Sequence, residues 1–205
     1  MVVENTLIKD VKAHVLDLLS KNLSEDLTYH SIHHTKEVVQ RVNEIAEKQN
    51  FDEEEIEIVN IAAWFHDTGY TISTDDHEEH SASICRNYLE QLNYSEEKIN
   101  QVEGCILATR MPQSPKNALE KTLCDADLMH LADKDYFKKA DLLHKEIEKT
   151  KFCTIPEKEW MQMNQEFLNS HCFFTDYAHN TYTAAVKENL RKVRERLKKW
   201  QKAKK

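Results

Sequence analysis

The sequence predicts an all-α fold, and three observations carry that prediction. Only two glycines and three prolines occur in 205 residues, too few for the many corners of a β-rich chain. Apolar residues return at i, i+3 and i+4 through most of the length, the repeat of an amphipathic helix. Capping and turn residues interrupt that pattern at helix-length intervals.

About nine helices follow in order. Leu7, Ile8, Val11, Val15, Leu18 and Leu19 stripe the first. DLTYHS is a connector, and a second helix runs from about Ser31 to Gln49. Asp52 and Glu55 have capping-box spacing and open a third helix that ends at His66-Asp67. Asp75-Asp76 precede a fourth helix to about Leu92, and Ser95 opens a fifth that reaches Arg110. MPQSPKN is the most turn-like segment. The sixth helix is expected from about Ala118 to Leu131 and the seventh from there to Lys149. Thr154-Ile-Pro-Glu157 starts the eighth, and Thr175 starts a long ninth. No internal repeat and no linker-like stretch divides the chain. One domain over 1–205 is expected, with a C-terminal helical extension over about 154–205.

Composition narrows the function. With 40% apolar and 31% charged residues the chain reads as a globular protein. No apolar run approaches the roughly 20 residues of a membrane helix, and MVVENTLIKD lacks the basic-then-apolar pattern of a leader. The five cysteines are scattered and never in CxxC spacing, which suits reduced thiols and a cytoplasmic setting. The net charge of −8 hides an asymmetry. RKVRERLKKWQKAKK, residues 191–205, holds nine Lys/Arg and one Glu, leaving 19 positive and 35 negative side chains in the first 190 residues. An acidic body argues against nucleic acid. The basic tail keeps Leu190, Val193, Leu197 and Trp200 at helical spacing, which reads as a last helix docked on its own domain rather than on a membrane.

Four polar residues break the apolar pattern. Val59, Ala62, Ala63 and His66 fall at i, i+3, i+4 and i+7, so His66 extends a core-facing stripe and Asp67 adjoins it. His34 shares a face with Val38, Val42 and Ile45, and Asp127 lies between Leu123 and Leu131 on an apolar ridge. An unpaired buried carboxylate costs on the order of several kcal/mol or takes up a proton. A divalent cation would neutralise the carboxylates and use the imidazole lone pairs. On periodicity alone, a hydrogen-bonded core and a metal site both stay open.

The order His34, His66-Asp67, Asp127 resembles the signature of the HD superfamily of metal-dependent phosphohydrolases. YHSIHHTKEVV resembles the family's first-histidine helix, AAWFHDTGY its His-Asp turn and LCDADLMHLA the helix of its last aspartate, a motif core of about 29–131. The resemblance implies one tight divalent metal (Mn, Fe, Ni, Zn or Mg) on His34, His66, Asp67 and Asp127. It favours Asp127 over Asp125 and His34 over His33. A second metal site is implied at His77 or His80 in DDHEEHSASI, although Thr109 and Arg110 stand where relatives with two metals often place another histidine. The implied reaction is hydrolysis of a phosphoester or phosphoanhydride in a small, nucleotide-type substrate by metal-bound water. Asp67 would orient or deprotonate that water, and His30 would be the general acid. Arg110, Lys116 and Lys36 are the nearest cations for an anionic substrate, and His171 lies in the aromatic-rich EFLNSHCFFTDY. A non-catalytic HD-fold nucleotide-binding or regulatory domain and a di-iron oxygenase are the alternatives. A homodimer is compatible with the sequence.

Overall fold

The structure, a computed structural model, describes residues 6–203, with side chains to residue 200. The leader-free reading of residues 1–5 and the last two lysines of the basic tail lie outside the described residues. Nine α-helices and no strand occur among the described residues. They are α1 Thr6–Asn22, α2 Ile32–Gln49, α3 Glu53–Phe65, α4 His77–Gln91, α5 Glu96–Ala108, α6 Ala118–Leu128, α7 Tyr136–Thr150, α8 Glu157–Ser170 and α9 Asp176–Ala203. Packing divides the chain into two compact units, one ending at Asp127 and the other beginning at Leu128.

In the first unit α3 is the central helix, packed against α1, α2, α4 and α5. Sequence spacing predicts one core-facing stripe on α3, but every residue from Ile58 to Phe65 is buried. A helix apolar on all sides needs neighbours on all sides, and four helices supply them. Its start is the expected capping box: Glu55 N–H donates to Asp52 at 2.9 Å and Asp52 N–H to Glu55 at 3.0 Å. The one amide among these residues, Asn60, exchanges hydrogen bonds with Asn43 of α2 at 3.0 Å each way. That exchange fixes the register of the two helices that carry His34 and His66.

Past His66 the chain tightens into one turn of 3-10 helix, Thr68–Thr71. Gly69 sits there under the first turn of α4, and its N–H donates to Ser81 Oγ at 2.8 Å. A Cβ on Gly69 would lie 1.9 Å from the His77 carbonyl oxygen. The glycine serves close approach, since its φ is not positive. α6 also ends earlier than its ridge suggests. It passes at Leu128 into a second 3-10 turn, Met129–Ala132, so Leu131 leaves the α-helical register of Asp127.

In the second unit α9 packs against α8 and the second 3-10 turn. Leu190, Val193 and Leu197 are buried there. Asn189 donates to the Leu131 and Asp133 carbonyls at 2.9 and 3.0 Å. The Arg196 guanidinium lies 3.5 Å over the Phe137 ring. The cysteines are all unpaired: Cys85, Cys105 and Cys124 are buried, Cys153 and Cys172 exposed. No described helix is long and apolar enough to cross a membrane.

Candidate metal centre

The centre lies wholly in the first unit, where α2, the end of α3 and the end of α6 converge. His34 Nε2 is 3.4 Å from His66 Nε2, 3.2 Å from Asp127 Oδ1 and 3.3 Å from Asp67 Oδ2. His66 Nε2 is 3.1 Å from Asp67 Oδ2 and 3.8 Å from Asp127 Oδ1. His34, His66 and Asp127 bring their ligating atoms within 4.8 Å of one another. His34, His66 and Asp67 are buried, and the Asp127 side chain is 20% exposed.

Two details decide what such a cluster holds. His66 Nδ1 lies 2.8 Å from the Ala63 carbonyl, which only accepts, so Nδ1 carries the ring's hydrogen. In its neutral form the ring therefore presents an Nε2 lone pair toward His34 and Asp67. Asp67 Oδ2, for its part, is buried beside two imidazole nitrogens yet receives an aligned hydrogen bond from neither. With both imidazoles deprotonated, His34, His66 and Asp127 bring ligating atoms together, with Asp67 Oδ2 beside the two rings. Ligands about 2.0–2.2 Å from a shared ion stand roughly 3.0–3.5 Å apart at near-octahedral or tetrahedral angles. Four of the five separations above fall in that interval. The donor set fits a divalent cation.

The electrostatics agree. Burial lowers the His34 pKa, but the hydrogen bond with Asp127 and the negative charge of Asp67 and Asp127 outweigh it and raise it to about 10. Burial raises the Asp67 pKa, yet the positive charge of His66 and the contacts from both imidazoles hold it well below the usual carboxylate range. A site that grips a proton this firmly through two carboxylates is a site built for positive charge.

The rim is aromatic. His30 stacks on Tyr70 with centroids 4.4 Å apart, and Tyr70 stacks on His77 at 4.0 Å. The Tyr70 hydroxyl is 3.5 Å from His30 Nε2, and the His30 and His34 rings meet edge-on at 5.6 Å. His77 Nε2 is 3.8 Å from Asp67 Oδ1, and burial lowers the His77 pKa, so its ring is neutral near pH 7. His80 is half-buried one turn further along α4, with no described contact to the centre.

The HD-domain family profile matches residues 31–145. The chain belongs to the HD-domain family. Two solved structures share the fold of this HD protein. One is a predicted HD superfamily hydrolase from an uncultured Thermotogales bacterium, 19% identical, with a TM-score of 0.62 over 92% of each chain. The other is a Lactobacillus plantarum protein, 14% identical, with a TM-score of 0.66 over 96% of this chain and 98% of that one. No curated protein matches the sequence.

The remaining sequence-derived residues spread out. His33 is 80% exposed and pairs with Glu37 at 3.6 Å. Asp125 is buried in α6, two residues before Asp127. Lys36 is exposed on α2. Lys116 is exposed too, and its backbone N–H donates to Glu120 at 2.6 Å. Arg110 is engaged by three carboxylates, Asp76 at 2.9 Å, Glu79 at 3.0 Å and Glu78 at 3.8 Å. The Thr109 hydroxyl donates to the Ile106 carbonyl at 2.7 Å, closing α5. His171 lines a cavity of about 140 Å³ within the second unit. Tyr70, Gly69 and Glu78 escaped the sequence reading. An aromatic three residues past Asp67 and a lone glycine before it were the available signals.

Proposed function

We propose that this HD protein is a metal-dependent phosphohydrolase that cleaves a phosphoester or phosphoanhydride bond in a small, nucleotide-type substrate. The observation that carries the reading is the cluster of His34, His66 and Asp127, with Asp67 Oδ2 buried 3.3 Å and 3.1 Å from the two imidazoles and without a hydrogen-bond partner. These four side chains would hold the ion. A bound divalent cation supplies Lewis acidity toward a phosphoryl oxygen and makes hydroxide available near neutrality. Manganese, iron, nickel, zinc and magnesium all suit two imidazoles and two carboxylates, and cellular supply selects among them.

Asp67 accepts the attacking water's proton at Oδ1, the carboxylate oxygen directed toward His77. His30 Nε2 protonates the leaving oxygen. Stacking on Tyr70 and the hydroxyl at 3.5 Å orient its ring at the rim. Lys36 and Lys116 are the exposed cations assigned to the substrate phosphate, and Arg110 joins them only by exchanging its carboxylates for substrate. The same reading places the protein in the cytoplasm, without nucleic-acid or membrane partners, and allows a homodimer.

The test is metal stoichiometry by mass spectrometry on protein purified without chelators or a metal-affinity tag, beside Asp127→Ala. One or two transition-metal ions per chain, lost in the variant, are expected. Turnover of p-nitrophenyl phosphate and a nucleotide panel with that metal should follow. A centre that takes up no manganese, iron or zinc when supplied refutes the proposal and makes the domain a binder.

A further inference from the structure

The second unit holds a cavity that the metal centre does not use. Its volume is about 140 Å³, and every residue lining it falls between Leu168 and Leu190. The end of α8 and the connector after it supply one side. Thr183, Val186, Lys187 and Leu190, at i, i+3, i+4 and i+7 on one face of α9, supply the other. Leu168, Phe173, Val186 and Leu190 form the apolar wall, and all four are buried. An apolar cavity of roughly 150 Å³ takes a ligand of benzene size. The wall therefore suits an apolar body of about six carbons.

The rest of the lining is polar and of one kind. His171, Asn169, Thr183 and Lys187 are all hydrogen-bond donors, and no carboxylate is among them although the chain's net charge is −8. Burial lowers the His171 pKa to about 4, so the ring is neutral near pH 7 and holds a single N–H. Its Nε2 is buried without a hydrogen-bond partner among the described residues, a cost that a bound acceptor would recover. The Asn169 Oδ1 already accepts from Arg194 at 2.8 Å, which leaves the NH2 end of the amide to donate. Lys187 is exposed and has neither an ion pair nor a hydrogen bond among the described residues. Its helical neighbours give the reason. Thr183, Ala184, Leu190 and Arg191 stand three and four residues away, and none is acidic. Glu188, the nearest carboxylate in the chain, is held by Arg191 at 2.7 Å and Lys192 at 3.9 Å.

We propose that this cavity binds a small monocarboxylate, its apolar body of about six carbons against the Leu168, Phe173, Val186 and Leu190 wall and its carboxylate held by the Lys187 ammonium and the His171 ring. One full positive charge in the lining matches one negative charge. A phosphate monoester, at about −1.5 to −2 near pH 7, would be left undercompensated. The site shares no residue with the metal centre and does not depend on it.

Chemical-shift titration of the full chain with benzoate tests the assignment. Benzoate should shift the amides of residues 168–190 and the His171 ring saturably. Benzyl alcohol, with the same ring and no charge, should bind at least about tenfold more weakly, the loss expected when a hydrogen bond to a charged group is removed. Lys187→Ala, an exposed substitution that keeps helix propensity, should weaken benzoate by about the same factor and leave benzyl alcohol unchanged. No saturable shift over residues 168–190, benzyl alcohol bound as tightly as benzoate, or Lys187→Ala binding benzoate like the wild type overturns the proposal. Benzoate that shifts residues of the first unit alone does so too.

Discussion

Gly69→Ala tests the geometry that joins the His-Asp turn to α4. The added methyl would sit 1.9 Å from the His77 carbonyl oxygen and 2.8 Å from both the His77 carbonyl carbon and the Ser81 nitrogen, where real contacts essentially never fall below 3.0 Å. These obstacles are backbone atoms, so no side chain can swing away. The first turn of α4 must retreat by about 1.1 Å, the shortfall between 1.9 and 3.0 Å. That movement breaks the buried Gly69 N–H to Ser81 hydrogen bond. Overpacking contributes about 1–3 kcal/mol, and a buried donor left without its acceptor about another 1–3 kcal/mol. Taking about 3 kcal/mol as the net loss, a chain of this size should melt roughly 6–12 °C lower. Gly104→Ala is the matched control. Its Cβ meets only the Glu120 carboxylate at 3.3 Å, in the interior of α5. Alanine there gains about 0.8–1 kcal/mol of helix propensity, so the melting temperature should hold or rise slightly. Circular dichroism melts of the three proteins decide the matter. A Gly69→Ala protein within about 2 °C of wild type, less than the shift expected for 1 kcal/mol, or an equal fall in both variants, refutes the close-approach reasoning.

Other outcomes follow from the centre and its rim. Burial lowers the His34 pKa, but Asp127 and Asp67 raise it to about 10, so the metal-free ring is protonated at pH 7 and cation capture must expel that proton. Affinity should climb about tenfold per pH unit between pH 6 and 9, and calorimetry in buffers of different ionisation enthalpy should detect the released proton; a flat profile contradicts the assignment. By the same linkage the raised pKa stabilises the metal-free fold fully below about pH 6.5, and that contribution fades as pH rises toward 10, so metal-free protein should melt progressively lower over this window while loaded protein does not. His34→Ala should abolish metal uptake and His33→Ala should leave it unchanged, because His33 is 80% exposed and pairs with Glu37. Equal damage would reassign the ligand. Arg110→Ala should lower the melting temperature slightly and in a salt-sensitive way, since it frees Asp76, Glu78 and Glu79. A raised KM for p-nitrophenyl phosphate with no change in melting would show instead that the guanidinium serves substrate.

The helices were legible because their signals are local. Asp52 and Glu55 announce the start of α3 three residues apart, and the capping box forms as written. His34 and His66 betrayed themselves as polar residues on apolar stripes, and both are buried. Where the reading slipped, the missing information was a neighbour. The single stripe on α3 became a helix buried on every side because four other helices surround it. The ridge through Asp127 and Leu131 was cut short by a 3-10 turn that no local pattern forecasts. Arg110 was readable as a cation beside the motif, but not as the partner of three carboxylates contributed by the start of α4.

The sequence by itself determined the fold class and the helix order, since helical period and capping depend on residues three or four apart; it marked polar residues on apolar stripes, and the resemblance to the HD family, not the period, made four of them candidate ligands. Only the tertiary structure decided which atoms meet. Nothing in the chain order brings residue 34 within 3.2 Å of residue 127, or leaves Asp67 Oδ2 without an aligned donor between two imidazoles. Which nitrogen a ring presents depends on an acceptor supplied by its surroundings, as the Ala63 carbonyl does for His66. Coordination depends on distance and direction to a fraction of an ångström, and those are properties of packing, where residues far apart in the chain come into contact.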